Sequence, residues 1–373
     1  MARLWCSELK ALILAGGFAT RLRPLSYALP KLLFPIGGRP VLEQTIDHLS
    51  SFGIDEVILA VKYLADELRE HFGEEYHGVK IRYSLEPEPL GTGGPIAFAR
   101  KYYGENETLL AMNGDIFAEI NIDAMKKVHE SNHALATIAL HEVDDPTRFG
   151  VARLDAQSRI REFVEKPRLP DAPSRLINAG TYLLEPGAID RIPQGRKVII
   201  EREVFPALAN EGRLFGYIHS GTWFDIGNID DFRSANFTLL ENKARGRVIV
   251  GEGARLSKSA KLTCPVLIGE RATVEDGATL GPRVIVGRRV RIGGNTSVME
   301  SIVFDDAEVG RNSSIEGTVV GDSVTVGNGV VIENGSVISS HVIIHDDVHV
   351  ARDVYIHPYK EINESILNPG HVV

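Results

Sequence analysis

Cysteine is scarce: the 373 residues contain two, Cys6 and Cys264. They fall in different halves of the chain, so no disulfide framework is expected, and with no secretory signature at the start the expected compartment is a reducing cytoplasm. Long apolar runs are missing as well. None approaches the roughly 20 residues that cross a bilayer, which excludes a membrane-spanning helix. Basic charge is not in excess. Against 41 Lys and Arg stand 50 Asp and Glu, a net charge of −9 that argues against a general nucleic-acid binder while allowing a local basic pocket. The usual phosphate-loop pattern G-x-x-x-x-G-K-[ST] does not occur, and the first glycine cluster, Gly-Gly-Phe-Ala-Thr-Arg, misses the dinucleotide pattern G-x-G-x-x-G. What remains is ordinary packing material, 43% hydrophobic and 24% charged, in a chain long enough for two domains.

The most informative stretch is Leu12 to Pro40, LILAGGFATRLRPLSYALPKLLFPIGGRP. An apolar run up to Ala15 reads as a buried strand. Gly16 and Gly17 then let the backbone approach a ligand closely and leave N–H groups free for phosphate or base. Arg21, Arg23 and Lys31 follow as fixed cations, and glycines after a strand followed by cations suit a polyanion such as a triphosphate. Taken singly, these residues also fit a surface loop with solvated charges.

From residue 9 to about 245 short apolar runs alternate with helix-period segments, the pattern of an α/β sheet covered on both faces. Strands are expected at 10–15, 56–61, 79–84, 107–112, 135–141 and 177–184, and helices at 41–52, 95–103 and 228–242. Such sheets bind ligands at the carboxyl ends of their strands. There the sequence places Ser84 to Ile96 (SLEPEPLGTGGPI), Asn113-Gly114-Asp115 and, further on, Trp223-Phe224-Asp225-Ile226-Gly227. Asp115 and Asp225 are candidate Mg²⁺ ligands, since Mg²⁺ takes one or two carboxylates beside water and phosphate oxygens. Their plainer readings are a turn and a helix start. Glu86 is a candidate base reader: a carboxylate only accepts hydrogen bonds, and guanine offers N1–H and N2–H side by side. Glu88 is close enough in sequence to share that role. Gly91, Thr92, Gly93 and Gly94 let the backbone pass close to a nucleoside, or make a flexible turn.

Beyond Val250 a period of six appears. Apolar residues stand at 250, 256, 262, 268, 274, 280, 286, 292 and 298, then after a one-residue slip at 303, 309 and 315, and after another at 320, 326, 332, 338, 344, 350, 356 and 362. Neither a helix nor an ordinary alternating strand keeps that phase, whereas the stacked short strands of a parallel β-helix do. The segment 357–373 is expected to cap its end. Such a solenoid is mostly scaffold, and its open faces and ends imply a homo-oligomer. His341, His345, His349 and His357 keep an acyl-transfer reading available.

The 12–40 stretch resembles the signature of the nucleotide-sugar pyrophosphorylases, G-G-x-G-T-R-L-x-P-L followed by P-K-P. Ala19 departs from it where the third Gly stands, and Leu32 where the second Pro stands. If Ala19 needs positive φ it costs on the order of 1 kcal/mol. The resemblance runs through nearly the whole first domain. It includes Phe149-Gly150-Val151, Glu165-Lys166-Pro167 and Asn178-Ala179-Gly180, and the runs at 200–206 and 223–232 look most like its mannose-1-phosphate guanylyltransferase branch. It implies a Rossmann-like mixed-sheet α/β nucleotidyltransferase domain over 1–245 and a left-handed parallel β-helix of hexapeptide repeats over 246–373. The implied reaction is nucleotidyl transfer from GTP to mannose 1-phosphate with Mg²⁺. By the same resemblance Arg21, Lys31, Asp115, Lys166 and Asp225 are catalytic, with Asp115 and Asp225 holding the metal. Leu14, Ala15, Gly16, Gly17, Glu86, Gly91, Thr92 and Gly114 contact nucleotide, and Gly150, Glu165, Lys166 and Asn178 the sugar phosphate. Thymidylyl and uridylyl members tend to carry Gln where Glu86 stands. Alternatives are UTP or dTTP with glucose 1-phosphate, or a non-catalytic homologue that binds a nucleotide sugar.

Overall fold

A computed structural model describes residues 9–373; Cys6 lies outside them. The chain forms two compact units. One takes in the residues up to Phe18 together with Leu42–Asp225, the other Ala19–Val41 together with Ile226–Val373. Relative to a boundary at 245, the segment 19–41 and the helix Ile229–Ala244 therefore fall with the solenoid.

The first unit is built on a mixed sheet. Its strands run in the order Ile160–Glu165, Gly150–Leu154, Leu176–Leu184, Leu109–Asn113, Lys10–Ala15, Glu56–Val61, Val79–Leu85 and Glu75–Tyr76, while Ala136–Glu142 pairs with both Leu176–Leu184 and Leu214–Ile218. The four strands from Leu109–Asn113 to Val79–Leu85 are mutually parallel. Ala11 to Ala15, Val57 to Val61 and Leu109 to Met112 are buried throughout, as parallel strands covered on both faces must be. All six expected strands form. Those the apolar pattern did not mark are Glu75–Tyr76, Gly150–Leu154, Ile160–Glu165, Leu214–Ile218 and the small pair Ile116–Ala118 with Trp223–Asp225. Most are short or carry charged residues, as in Ile160-Arg-Glu-Phe-Val-Glu165, so no continuous apolar run announces them. The expected helix at 95–103 is a short helix Gly94–Phe98 followed by a 3₁₀ turn Ala99–Tyr102.

Leu176–Leu184 is broken by a register shift between Asn178 and Tyr182. Gly180 makes it possible, with φ +72 and no room for a Cβ against Ile116 and Asn113.

The second unit contains three parallel sheets of two- and three-residue strands, one per face of the left-handed β-helix. Partners on one face lie 18 residues apart, as Val248 with Val266, except across two coils where Ile285 pairs with Ile302 and Ile302 with Val319, and in the last turn, where Val354 pairs with Gly370. Those two shortened coils are the two one-residue slips. The inward column from Ile268 to Ile362 is buried at every expected position. The exceptions are Val250, 49% exposed, and the half-buried Leu256 and Leu262, because the strands of the first coil have a partner on one side only. The tail adds a last turn: Glu361–Ile362 and Gly370–Val372 continue two sheets, and Ile366 bridges to Val350 on the third.

One face is apolar on its outside too. Leu267, Ile285, Ile302, Val319 and Val337 each precede an inward residue and are themselves buried, against Leu22, Leu25, Phe34, Ile229, Phe232 and Leu240. This packing draws 19–41 and the 229–244 helix into the second unit. Phe34, Phe232 and Phe304 meet edge-on with ring centroids 5.6 to 6.0 Å apart. Fully buried Asn236 accepts from Gly37 N–H at 2.8 Å and donates to the carbonyls of Pro35 and Phe232 at 3.1 Å. Ser339 Oγ donates to Pro24 O at 3.0 Å.

Candidate active site

The carboxyl ends of the parallel strands in the first unit carry the residues that motif reading singled out. Lys10–Ala15 ends at Gly16, Leu109–Asn113 at Gly114-Asp115, and Val79–Leu85 at Glu86. Leu14 and Ala15 are buried within the first of these strands. Gly114 N–H donates to Leu14 O at 2.9 Å and Glu86 N–H to Val61 O at 2.9 Å, so the loops leave the sheet in fixed register.

Glu86 is buried, 6% exposed, whereas Glu88 is exposed. Its Oε2 accepts from Leu90 N–H at 3.1 Å, and its Oε1 has no partner among the described residues. A Cβ on Gly16 would overlap this carboxylate, its carbon lying 2.9 Å away. The glycine is therefore required for close approach, and Gly17, with nothing around it, stays open. Burial pushes the Glu86 carboxyl above its ordinary range, against the opposing pull of the Leu90 N–H and Lys62. Among the described residues, two more buried oxygens at these strand ends lack partners, Asn113 Oδ1 and Ser84 Oγ. A buried acceptor without a donor is costly unless a ligand supplies one.

Asp115 and Asp225 come together through the small antiparallel pair. Asp225 lies in register with Ile116, the residue after Asp115, so Asp115 stands in the turn just before the strand that Asp225 pairs with. Asp225 does not start the following helix, because Asn228 is its N-cap and accepts from Asp231 N–H at 2.9 Å. Arg148 Nη2 stands 3.5 Å from Asp225 Oδ2. Two aspartates offer hard oxygen ligands that suit a divalent cation sharing phosphate oxygens. No group of three or more His, Cys, Asp or Glu assembles among the described residues, so water and ligand would complete such a site.

The glycines at 91–94 have packing reasons. Gly91 has φ +83 and no space for a Cβ against the Val198 carbonyl, while Gly94 would meet Leu90 and the Arg196 carbonyl. Leu90 O accepts from Val198 N–H and Gly93 N–H donates to Val198 O, both at 2.9 Å, which clips this loop to the segment before Ile200.

Among the residues expected to meet the sugar phosphate, Gly150 pairs with Glu165 across the hairpin, and a Cβ on Gly150 would press on Phe163 and on Glu165 Oε2 at 2.9 Å. Lys166 has φ +51, with its Nζ 3.9 Å from Glu165 Oε1. Glu165 is raised from the ordinary carboxylate range by burial and, second, by Glu201. Asn178 is buried, its Oδ1 accepting from Gly180 N–H at 2.9 Å and its Nδ2 donating to the Tyr182 hydroxyl at 2.9 Å.

Arg21 and Lys31 belong to the second unit. Arg21 is exposed on the 3₁₀ turn Thr20–Leu22 and Lys31, half-buried, opens the turn Lys31–Leu33. Ala19, just before, has φ 46 and ψ 42, the left-handed conformation that favours glycine.

Residue-by-residue reading passed over Tyr182, Glu201 and Arg148. Tyr182 is fully buried and Glu201 is 6% exposed. The available signal was a polar residue inside an apolar stretch, as in Val198-Ile-Ile-Glu201. The β-helix histidines are engaged on the surface: His345 bonds Glu361 at 2.7 Å, His349 bonds Glu333 at 2.8 Å, and His341 stacks on Tyr359. No helix among the described residues is long and apolar enough to cross a membrane.

The chain matches the family model "Nucleotidyl transferase" over residues 10–242 and the model "GMPPB C-terminal domain" over residues 262–372. It is 38% identical over 267 residues to a mannose-1-phosphate guanylyltransferase of Mycobacterium tuberculosis, a match covering 68% of this chain and 73% of that protein. It is 34% identical to the probable mannose-1-phosphate guanylyltransferase 3 of Oryza sativa subsp. japonica, over 98% of this chain and 100% of that one. Among solved structures, HddC from Yersinia pseudotuberculosis complexed with GMP-PN is 30% identical, with a TM-score of 0.53 over 62% of this chain and 99% of that one.

Proposed function

The chain belongs to the nucleotidyl transferase family, and from that premise we propose that it transfers a guanylyl group from GTP to mannose 1-phosphate. A phosphate oxygen of the sugar phosphate forms the new bond to the α-phosphorus as the bond to the β-phosphate oxygen breaks, giving GDP-mannose and pyrophosphate. The nucleophile belongs to the substrate. No covalent enzyme intermediate is needed, and catalysis reduces to positioning and charge neutralisation.

The observation that carries the choice of base is the buried Glu86 carboxylate with an unpartnered oxygen beside Gly16. It would accept from guanine N1–H and N2–H. Leu14, Ala15, Gly16, Gly17 and Gly114 would run along the nucleotide, with Gly91 and Thr92 supporting the base side. Lys166 would align the phosphate of mannose 1-phosphate, and Glu165, Asn178 and the Gly150 backbone its ring and hydroxyls. Asp115 and Asp225 would hold Mg²⁺, which when bound offsets the charge of the triphosphate. The roles of Arg21 and Lys31, stabilising the triphosphate and the departing pyrophosphate, rest on the motif and on their chemistry. We further read the enzyme as a cytoplasmic homo-oligomer associating through the β-helix, which light scattering of the purified chain tests.

A panel of triphosphates against mannose 1-phosphate and glucose 1-phosphate, read by pyrophosphate release, tests the reaction. GTP with mannose 1-phosphate should turn over fastest. Asp115→Asn or Asp225→Asn should lower kcat by roughly 10²–10³. Preference for UTP or dTTP by the unaltered protein would overturn the reading of Glu86.

A further inference from the structure

Glu201 has no part in the reading above, yet it is the most deeply buried carboxylate of the sugar-phosphate side, on a single helical turn Ile200–Glu203. Its two oxygens are held by two different segments. Oε2 accepts from Thr92 Oγ1 at 2.5 Å, and Oε1 accepts from the Tyr182 hydroxyl at 3.2 Å. Thr92 belongs to the nucleotide loop. Tyr182 accepts in turn from Asn178 Nδ2 at 2.9 Å, on the sugar side.

The direction of each proton is determined. Thr92 Oγ1 already accepts from Ile200 N–H at 3.1 Å, so its own proton goes to Glu201. The Tyr182 hydroxyl accepts from Asn178 and therefore gives its single proton to the same carboxylate. Thr92, Glu201, Tyr182 and Asn178 form a connected chain of donors and acceptors in which both hydroxyl protons point to Glu201. A buried carboxylate held only by hydroxyls is an expensive way to pack a core, since an apolar residue of like volume would cost less. It is, however, an effective strut. The Asn113 amide acts on the same Tyr182 hydroxyl, bringing in the strand that ends at Asp115.

We propose that Glu201 is a positioning residue that ties the nucleotide loop at Thr92 to the sugar side at Asn178, so that each substrate strengthens binding of the other. The proposal rests on the substrate reading above only for which pocket lies at which end of the chain. A displacement of Thr92 on one side bears on Tyr182 and Asn178 on the other, because both Glu201 oxygens are engaged, one by each side. Ordering paid for by the first ligand is then not paid again by the second, and the effect is reciprocal.

The test is titration calorimetry of the sugar phosphate, with and without a non-hydrolysable analogue of the triphosphate, using whichever pair the substrate panel selects. That choice keeps a failure of the guanine and mannose assignment separate, since it changes the ligands and leaves the coupling measurable. In the unaltered protein the first ligand should tighten the second by roughly fivefold or more. Tyr182→Phe, which keeps the ring and removes the hydroxyl, should bring that factor below about twofold, as should Glu201→Gln. Thr92→Ser should retain the coupling and Thr92→Val lose it. Coupling that survives intact in a folded Tyr182→Phe or Thr92→Val protein, or an unaltered protein with none, would overturn the proposal.

Discussion

Gly16→Ala is the substitution that probes the candidate site most directly. The added methyl would sit where Glu86 Oε1 now lies, with the carboxyl carbon 2.9 Å and Oε2 3.1 Å away. A flexible glutamate on the surface would swing aside at little cost. This one is 6% exposed, and its Oε2 is bonded to Leu90 N–H at 3.1 Å. Moving it breaks a hydrogen bond to a charged group, worth roughly 1.5–3 kcal/mol. Taking about 2 kcal/mol, the melting temperature of the first unit should fall by about 4–8 °C. Displacement of the base acceptor should raise the KM for GTP by roughly 10–100-fold, with a smaller change in the KM for mannose 1-phosphate. Differential scanning calorimetry and initial-rate kinetics read these separately. The double variant Gly16→Ala with Glu86→Ala removes the overlap, so its stability loss should be less than the sum of the single losses while GTP use stays poor. A Gly16→Ala protein that melts within about 1 °C of the unaltered one and uses GTP equally well would refute the reasoning.

Three further outcomes are expected. Ala19→Gly relieves a left-handed φ of 46 and should stabilise the second unit by up to about 1 kcal/mol, seen as a higher denaturant midpoint. Phe304→Ala opens the Phe34–Phe232–Phe304 cluster and should cost about 3–5 kcal/mol in chemical denaturation. Glu86 and Glu165 both have folded values raised above 4.5, so the folded protein holds these protons to higher pH than the unfolded chain. The stability this linkage contributes is full below about pH 4.5 and is lost as pH rises through the raised values. Glu86→Gln removes its share of that loss, so the melting temperature of the variant relative to the unaltered protein should climb between pH 4.5 and 7.

The legibility of the fold followed the strength of its periodicities. The period of six gave the β-helix nearly residue by residue, including both shortened coils. A further signal lay unread: apolar doublets, Leu267-Ile268, Ile285-Val286, Ile302-Val303, Val319-Val320 and Val337-Ile338, recur once per coil. A face apolar on both sides must be covered, and the doublets mark the face that 19–41 and the 229–244 helix cover. Placing the boundary at 245 missed this because residues 19–41 were read only for their cations, although Leu22, Leu25 and Phe34 are core residues. The hairpin Gly150–Leu154 with Ile160–Glu165 escaped because charged residues alternate through it.

The sequence alone determined the chemistry on offer: a glycine turn after a strand, carboxylates and lysines at strand ends, and a solenoid built on aliphatic positions. These are local properties, set by side-chain type and by which face of a short segment can be wetted. Only the tertiary structure distinguishes Glu86 from Glu88, by burying one and exposing the other. It also set Asp225 in register with Ile116, the residue after Asp115, and joined Thr92 to Asn178 through Glu201 and Tyr182. Each of those depends on strands and loops distant in sequence meeting in one register. A register is fixed by the summed packing of whole sheets, which no local window of residues contains.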